Sequence, residues 1–83
     1  MKLVYFAWVR ERIGMAEETV EPPQGIETVR DLLGWLRGRG EGYDLALNEP
    51  SAIRVALDHD HADHETSLAG VREVAFFPPM TGG

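Results

Sequence analysis

An apolar stripe at Val29, Leu32, Leu33 and Leu36 constrains this chain more than any other feature. The spacing i, i+3, i+4, i+7 puts four aliphatic side chains on one side of a helix. Its start is marked as well. Thr28 suits an N-cap, and Asp31 falls at N3 as a short acidic variant of the capping box. Glu27 and Asp31 also suit the positive end of the helix dipole. Arg37 and Arg39 suit the other end, where Gly38 and Gly40 offer C-cap positions. The spacing therefore predicts a helix from Thr28 to about Arg37. Gly34 inside it costs about 1 kcal/mol relative to alanine. Trp35 lies off the stripe and reads as a side chain covering the helix flank.

The other apolar residues fall in short runs of strand character. Leu3-Val4-Tyr5-Phe6-Ala7-Trp8-Val9 predicts a central strand. Period two would put Leu3, Tyr5, Ala7 and Val9 on one face and Val4, Phe6 and Trp8 on the other. Arg10 to Gly14 turns the chain, with Gly14 at positive φ. Met15 to Glu21 predicts an acidic edge strand, ended by Pro22-Pro23. Tyr43 to Leu47 fits a short helix or turn. Ile53 to Leu57 alternates as a strand, and Asp58 to Glu65 is a polar connection with a very short strand near His61 and Ala62. Leu68 anchors a loop, and Gly70 makes the turn into a last strand, Val74 to Phe77. One main helix over a small mixed sheet is an α+β roll. If the sheet's other face is open, Phe6, Trp8 and Phe77 group there as an apolar docking surface.

The last strand ends abruptly at Pro78-Pro79, because proline has no N–H for the ladder and fixes its own φ. The pair holds the chain extended, and Met80, Thr81, Gly82 and Gly83 follow. From Pro78 this tail would span roughly 20 Å, enough to enter another protein's active site. Gly82-Gly83 can thread a slot too tight for other residues. The distinctive group is the Gly83 α-carboxylate, a poor electrophile that needs activation, for example as an acyl-adenylate from ATP. The chain of 83 residues makes one small domain. It has no cysteine, so sulfur cannot ride on a thiol or persulfide, which leaves the C-terminus. The net charge of −6 argues against nucleic acid or an anionic membrane and fits a partner with a basic surface. No run approaches a transmembrane span and no signal peptide is visible, so a cytoplasmic protein is expected.

Every histidine falls in Asp58-His59-Asp60-His61-Ala62-Asp63-His64-Glu65. In an extended segment His59, His61 and Asp63 would share a face, a nitrogen/oxygen set suited to Zn²⁺ or Ni²⁺. No second cluster completes such a site, so the segment reads as a solvated hairpin connection and no metal site is assigned.

The ending Phe76-Phe77-Pro78-Pro79, followed two residues later by Gly82-Gly83, resembles the small sulfur-carrier subunits of molybdopterin synthase. The resemblance extends to Val4-Tyr5-Phe6-Ala7 with Arg10-Glu11 and Gly14, to Thr28-Val29 with Leu32-Leu33, and to Val55-Ala56-Leu57. Departures are Asp58, where the family usually has Asn, and His61, where an apolar residue is usual on the partner-facing sheet. The resemblance implies a ubiquitin-like β-grasp domain over residues 1–77 and an extended tail over 78–83. It implies no bound cofactor. A separate adenylating enzyme would use ATP to activate Gly83, which would become a thiocarboxylate. The tail would enter a large synthase subunit, in a heterotetramer whose large subunit supplies the catalytic side chains. There the sulfur would attack cyclic pyranopterin monophosphate. Gly82 and Gly83 would carry the chemistry, while Phe6, Phe77, Pro78, Pro79, Met80 and Thr81 would bind the partner. A ubiquitin-like protein modifier, or a carrier for thiamine, tRNA or cysteine sulfuration, would need the same activation.

Overall fold

Helix α2, Val29–Arg37, forms where its stripe puts it. The computed structural model describes residues 1–79. Thr28 Oγ1 accepts from the Asp31 N–H at 3.2 Å, and Asp31 Oδ2 accepts from the N–H groups of Thr28 and Glu27, each at 3.1 Å. The capping box is complete, and those backbone donors hold the Asp31 carboxyl below its ordinary value. Val29, Leu32, Leu33 and Leu36 are all buried, each burial stabilising by roughly 1.5–3 kcal/mol.

Around α2 the chain runs β1 (Lys2–Tyr5), α1 (Ala7–Ile13), β2 (Glu17–Thr19), α2, α3 (Glu41–Leu47), a 3₁₀ turn (Pro50–Ala52), β3 (Arg54–Leu57), β4 (Asp60–Ala62) and β5 (Glu73–Phe77). The strands form one mixed sheet in the order β2-β1-β5-β3-β4. The last strand pairs parallel with β1 and antiparallel with β3, so β5 sits at the centre. Leu3, Tyr5, Val55, Leu57, Val74 and Phe76 point inward against the helices, with Tyr5 stacked on Phe76 at 5.6 Å. This is the ubiquitin-like β-grasp roll, an α+β fold with α2 as its main helix. The acidic strand β2 is at one edge, as its charges require. Leu68 is buried, its N–H bonded to Glu27 O at 2.8 Å, and Gly70 takes φ 76°.

The first strand is shorter than the apolar run predicts. It stops at Tyr5, Phe6 caps a helix in extended conformation, and Ala7 enters α1 at φ 52°. A continuous apolar run cannot distinguish strand from buried helix. Here Val9 and Ile13, one helical turn apart, pack on the core. Gly14 does take positive φ, 94°, but as the C-cap of α1, its N–H bonded to Arg10 O at 2.8 Å. Helices α1 and α3 approach closely at Gly42, where an added Cβ would lie 2.7 Å from Arg12 O. Among the described residues no helix is long and apolar enough to cross a membrane.

Candidate functional site

The site is the sheet face turned away from the helices, together with the end of β5. Strand pleating puts alternate residues there. Val4, Ala75, Ala56 and His61 form one cross-strand row, and Phe77 stands opposite Arg54 in the next. The rings of His61 and Phe77 meet edge-on, centroids 5.4 Å apart. They converge from the strands flanking β3, which accounts for Ala56 being only 8 % exposed on an otherwise open face. Phe6 joins this end of the sheet: its N–H bonds Phe76 O at 3.0 Å and its side chain is 47 % exposed.

Phe6 and Phe77 thus share a face at the end of β5, and Pro78 and Pro79 follow, both half-buried. Met80, Thr81, Gly82 and Gly83 lie outside the described residues. Trp8 does not join the face. It belongs to α1 and is half-buried against the core, with the Arg12 guanidinium 4.4 Å from its ring centre, beside a cleft that includes Leu45 and Glu49. The alternation that put it beside Phe6 fails once the chain turns helical at Ala7. Val4, Ala75 and Ala56 were readable as part of the face from strand alternation alone.

The histidines diverge. Asp58 and His59 take φ 48° and 77°, a tight two-residue turn between Leu57 and its partner Asp60. His59 Nδ1 lies 3.8 Å from Glu73 Oε2, His61 faces Phe77, and His64 Nε2 is 2.9 Å from Ile53 O. The tight turn removes the extended geometry in which His59, His61 and Asp63 would share a face. Among the described residues no three His, Cys, Asp or Glu side chains gather as a metal site. Asp58 instead anchors β5: its Oδ1 accepts from the N–H groups of Arg72 at 3.0 Å and Glu73 at 2.9 Å. That role suits the turn, since Asn and Asp tolerate left-handed φ.

No sequence pattern singled out the carboxylate that ties β2 to the helices. Glu18 Oε2 accepts from Tyr5 Oη at 2.7 Å and Tyr43 Oη at 2.6 Å, and Oε1 accepts from Arg39 at 3.1 Å. Burial alone would raise the Glu18 carboxyl, but these donors outweigh it and hold the group below its ordinary value. Burial, reinforced by the Glu18 carboxylate, pushes both phenols up.

The family model that matches this chain is the ThiS family, over residues 3–83. The chain belongs to this family. Two curated relatives are molybdopterin synthase sulfur carrier subunits. The one from Escherichia coli (strain K12) is 32% identical over 83 residues, covering 100% of this chain and 99% of the relative. The one from Haemophilus influenzae is 30% identical over the same length and coverage. Among solved structures, SAMP1 from Haloferax volcanii superposes with a TM-score of 0.76 at 27% identity, over 100% of this chain and 98% of that one. The match to the ThiS family thus takes in all but the first two residues of the chain.

Proposed function

We propose that this chain is a sulfur carrier that works with a large partner subunit in molybdopterin synthesis. The observation that carries the reading is the end-to-end similarity to two molybdopterin synthase sulfur carrier subunits. The apolar outer face beside Phe77 supports it, because that face adjoins the strand from which the last residues leave.

The proposed chemistry belongs to Gly83. A separate adenylating enzyme binds ATP, the Gly83 carboxylate attacks the α-phosphorus, and pyrophosphate leaves. Hydrosulfide or its equivalent then attacks the acyl carbon. AMP leaves with the C–O bonding pair, and the product is a thiocarboxylate. In the large subunit its sulfur attacks a side-chain carbon of cyclic pyranopterin monophosphate, an oxygen substituent leaves that carbon with its bonding pair, and water cleaves the resulting acyl–sulfur bond to return the carboxylate. Two carriers in turn supply the two sulfurs of the dithiolene. Gly82 and Gly83 pass through the narrow part of the partner's site because they lack Cβ. Phe6, Phe77, Pro78, Pro79, Met80 and Thr81 make the partner contacts. The carrier acts in the cytoplasm. The assembly is a heterotetramer of two small and two large subunits.

The test adds one residue after Gly83 and measures sulfur transfer in a reconstituted synthase. Transfer should be abolished while the melting temperature stays unchanged. Transfer at the normal rate by the extended variant refutes the reading. Isopeptide-linked conjugates on cellular lysines would point to a protein modifier instead.

A further inference from the structure

On the outer sheet face, Lys2 Nζ at one end is 3.5 Å from Glu17 Oε2. At the opposite end Arg54 is exposed, stands across from Phe77, and forms no ion pair among the described residues. Asp63 follows β4 and lines the same cleft as Arg54 without pairing with it; its Oδ1 accepts from the Glu65 N–H at 2.9 Å and Thr66 Oγ1 at 3.1 Å. Between the two ends runs the low apolar row of Val4, Ala75 and Ala56.

We propose that this corner receives an acidic side chain of the large subunit. Its carboxylate pairs with the Arg54 guanidinium while apolar partner surface covers Val4, Ala75 and Phe77. The inference rests on the sulfur-carrier reading and identifies what the partner presents there. The planar guanidinium fork binds a carboxylate through two parallel hydrogen bonds. A net charge of −6 fits a partner surface that is basic as a whole, so this acidic group is a local exception on it and the pair acts at contact, where it fixes how the tail is aimed.

The experiment measures the affinity of the full chain for the large subunit at several salt concentrations, for the wild type, Arg54→Glu, Arg54→Gln and Arg72→Glu. Arg72 is also exposed but sits at the far end of β5, so its reversal changes net charge equally without touching the corner. Matched thermal melts show that each variant is folded. Arg54→Glu should weaken binding roughly tenfold or more, and Arg54→Gln should fall between it and wild type. Arg72→Glu should change affinity by less than about threefold. Equal losses for the two reversals would mean that only net charge matters, and would overturn the proposal. Undiminished binding by Arg54→Glu would overturn it too. No binding by the wild-type chain would instead remove the sulfur-carrier reading on which it depends.

Discussion

Two glycines in two helices should answer the same substitution with opposite signs. Gly34 lies inside α2 on an exposed face, and an added Cβ there meets nothing within 4 Å. Gly34→Ala therefore collects the helix-propensity difference, a stabilisation of about 1 kcal/mol. Gly42 lies in the first turn of α3, where an added Cβ would sit 2.7 Å from Arg12 O and 3.4 Å from Ile13 O. Both contacts are with backbone, which cannot rotate aside as a side chain could. Helices α1 and α3 would have to separate, and overpacking of this kind costs about 1–3 kcal/mol. The propensity gain of about 1 kcal/mol offsets part of that, leaving a net loss of up to about 2 kcal/mol. For a domain of this size each kcal/mol moves the melting temperature by roughly 4–8 °C. Thermal melts should therefore place Gly34→Ala several degrees above wild type and Gly42→Ala several degrees below. A Gly42→Ala protein as stable as wild type would refute the close packing of α1 on α3.

Three further outcomes follow from named contacts. Because the Glu18 carboxyl is held below its ordinary value, its contribution is complete above the unfolded value of about 4.3 and is lost as pH falls through the folded one. Urea melts from pH 6 to pH 3 should thus show a steeper loss for wild type than for Glu18→Gln, and parallel curves would contradict the network. Asp58→Ala should cost about 1–2 kcal/mol in urea melts, since it removes the acceptor for Arg72 and Glu73 and places alanine at φ 48°, whereas Asp58→Asn should cost much less. Phe77→Ala should weaken binding to the large subunit by roughly tenfold or more, while a melt finds the domain still folded; equal binding would remove Phe77 from the interface.

The parts of this fold readable in sequence are those set by local rules. The α2 stripe and its capping box emerge as spaced, and the acidic run from Met15 falls at an edge. The final strand shows its inward and outward residues by simple alternation. Failure came at Phe6 and Ala7, where an apolar run passes from strand to helix and neither period is decisive. Features made by residues distant in sequence were not readable. Gly42 matters because of Arg12, and Glu18 because Tyr5, Tyr43 and Arg39 converge on it. The open sheet face was partly legible. Phe6 and Phe77 share it, but Trp8 left it with the helix, and the lack of an ion pair at Arg54 among the described residues emerges only once the other pairs are known.

Sulfur carriage by Gly83 can be read from the intact mass of the chain after incubation with the adenylating enzyme, ATP and a sulfur donor. One oxygen should be replaced by sulfur, mapped by fragmentation to Gly83. An unchanged mass, with an adenylating enzyme shown to be active on another carrier, would contradict it.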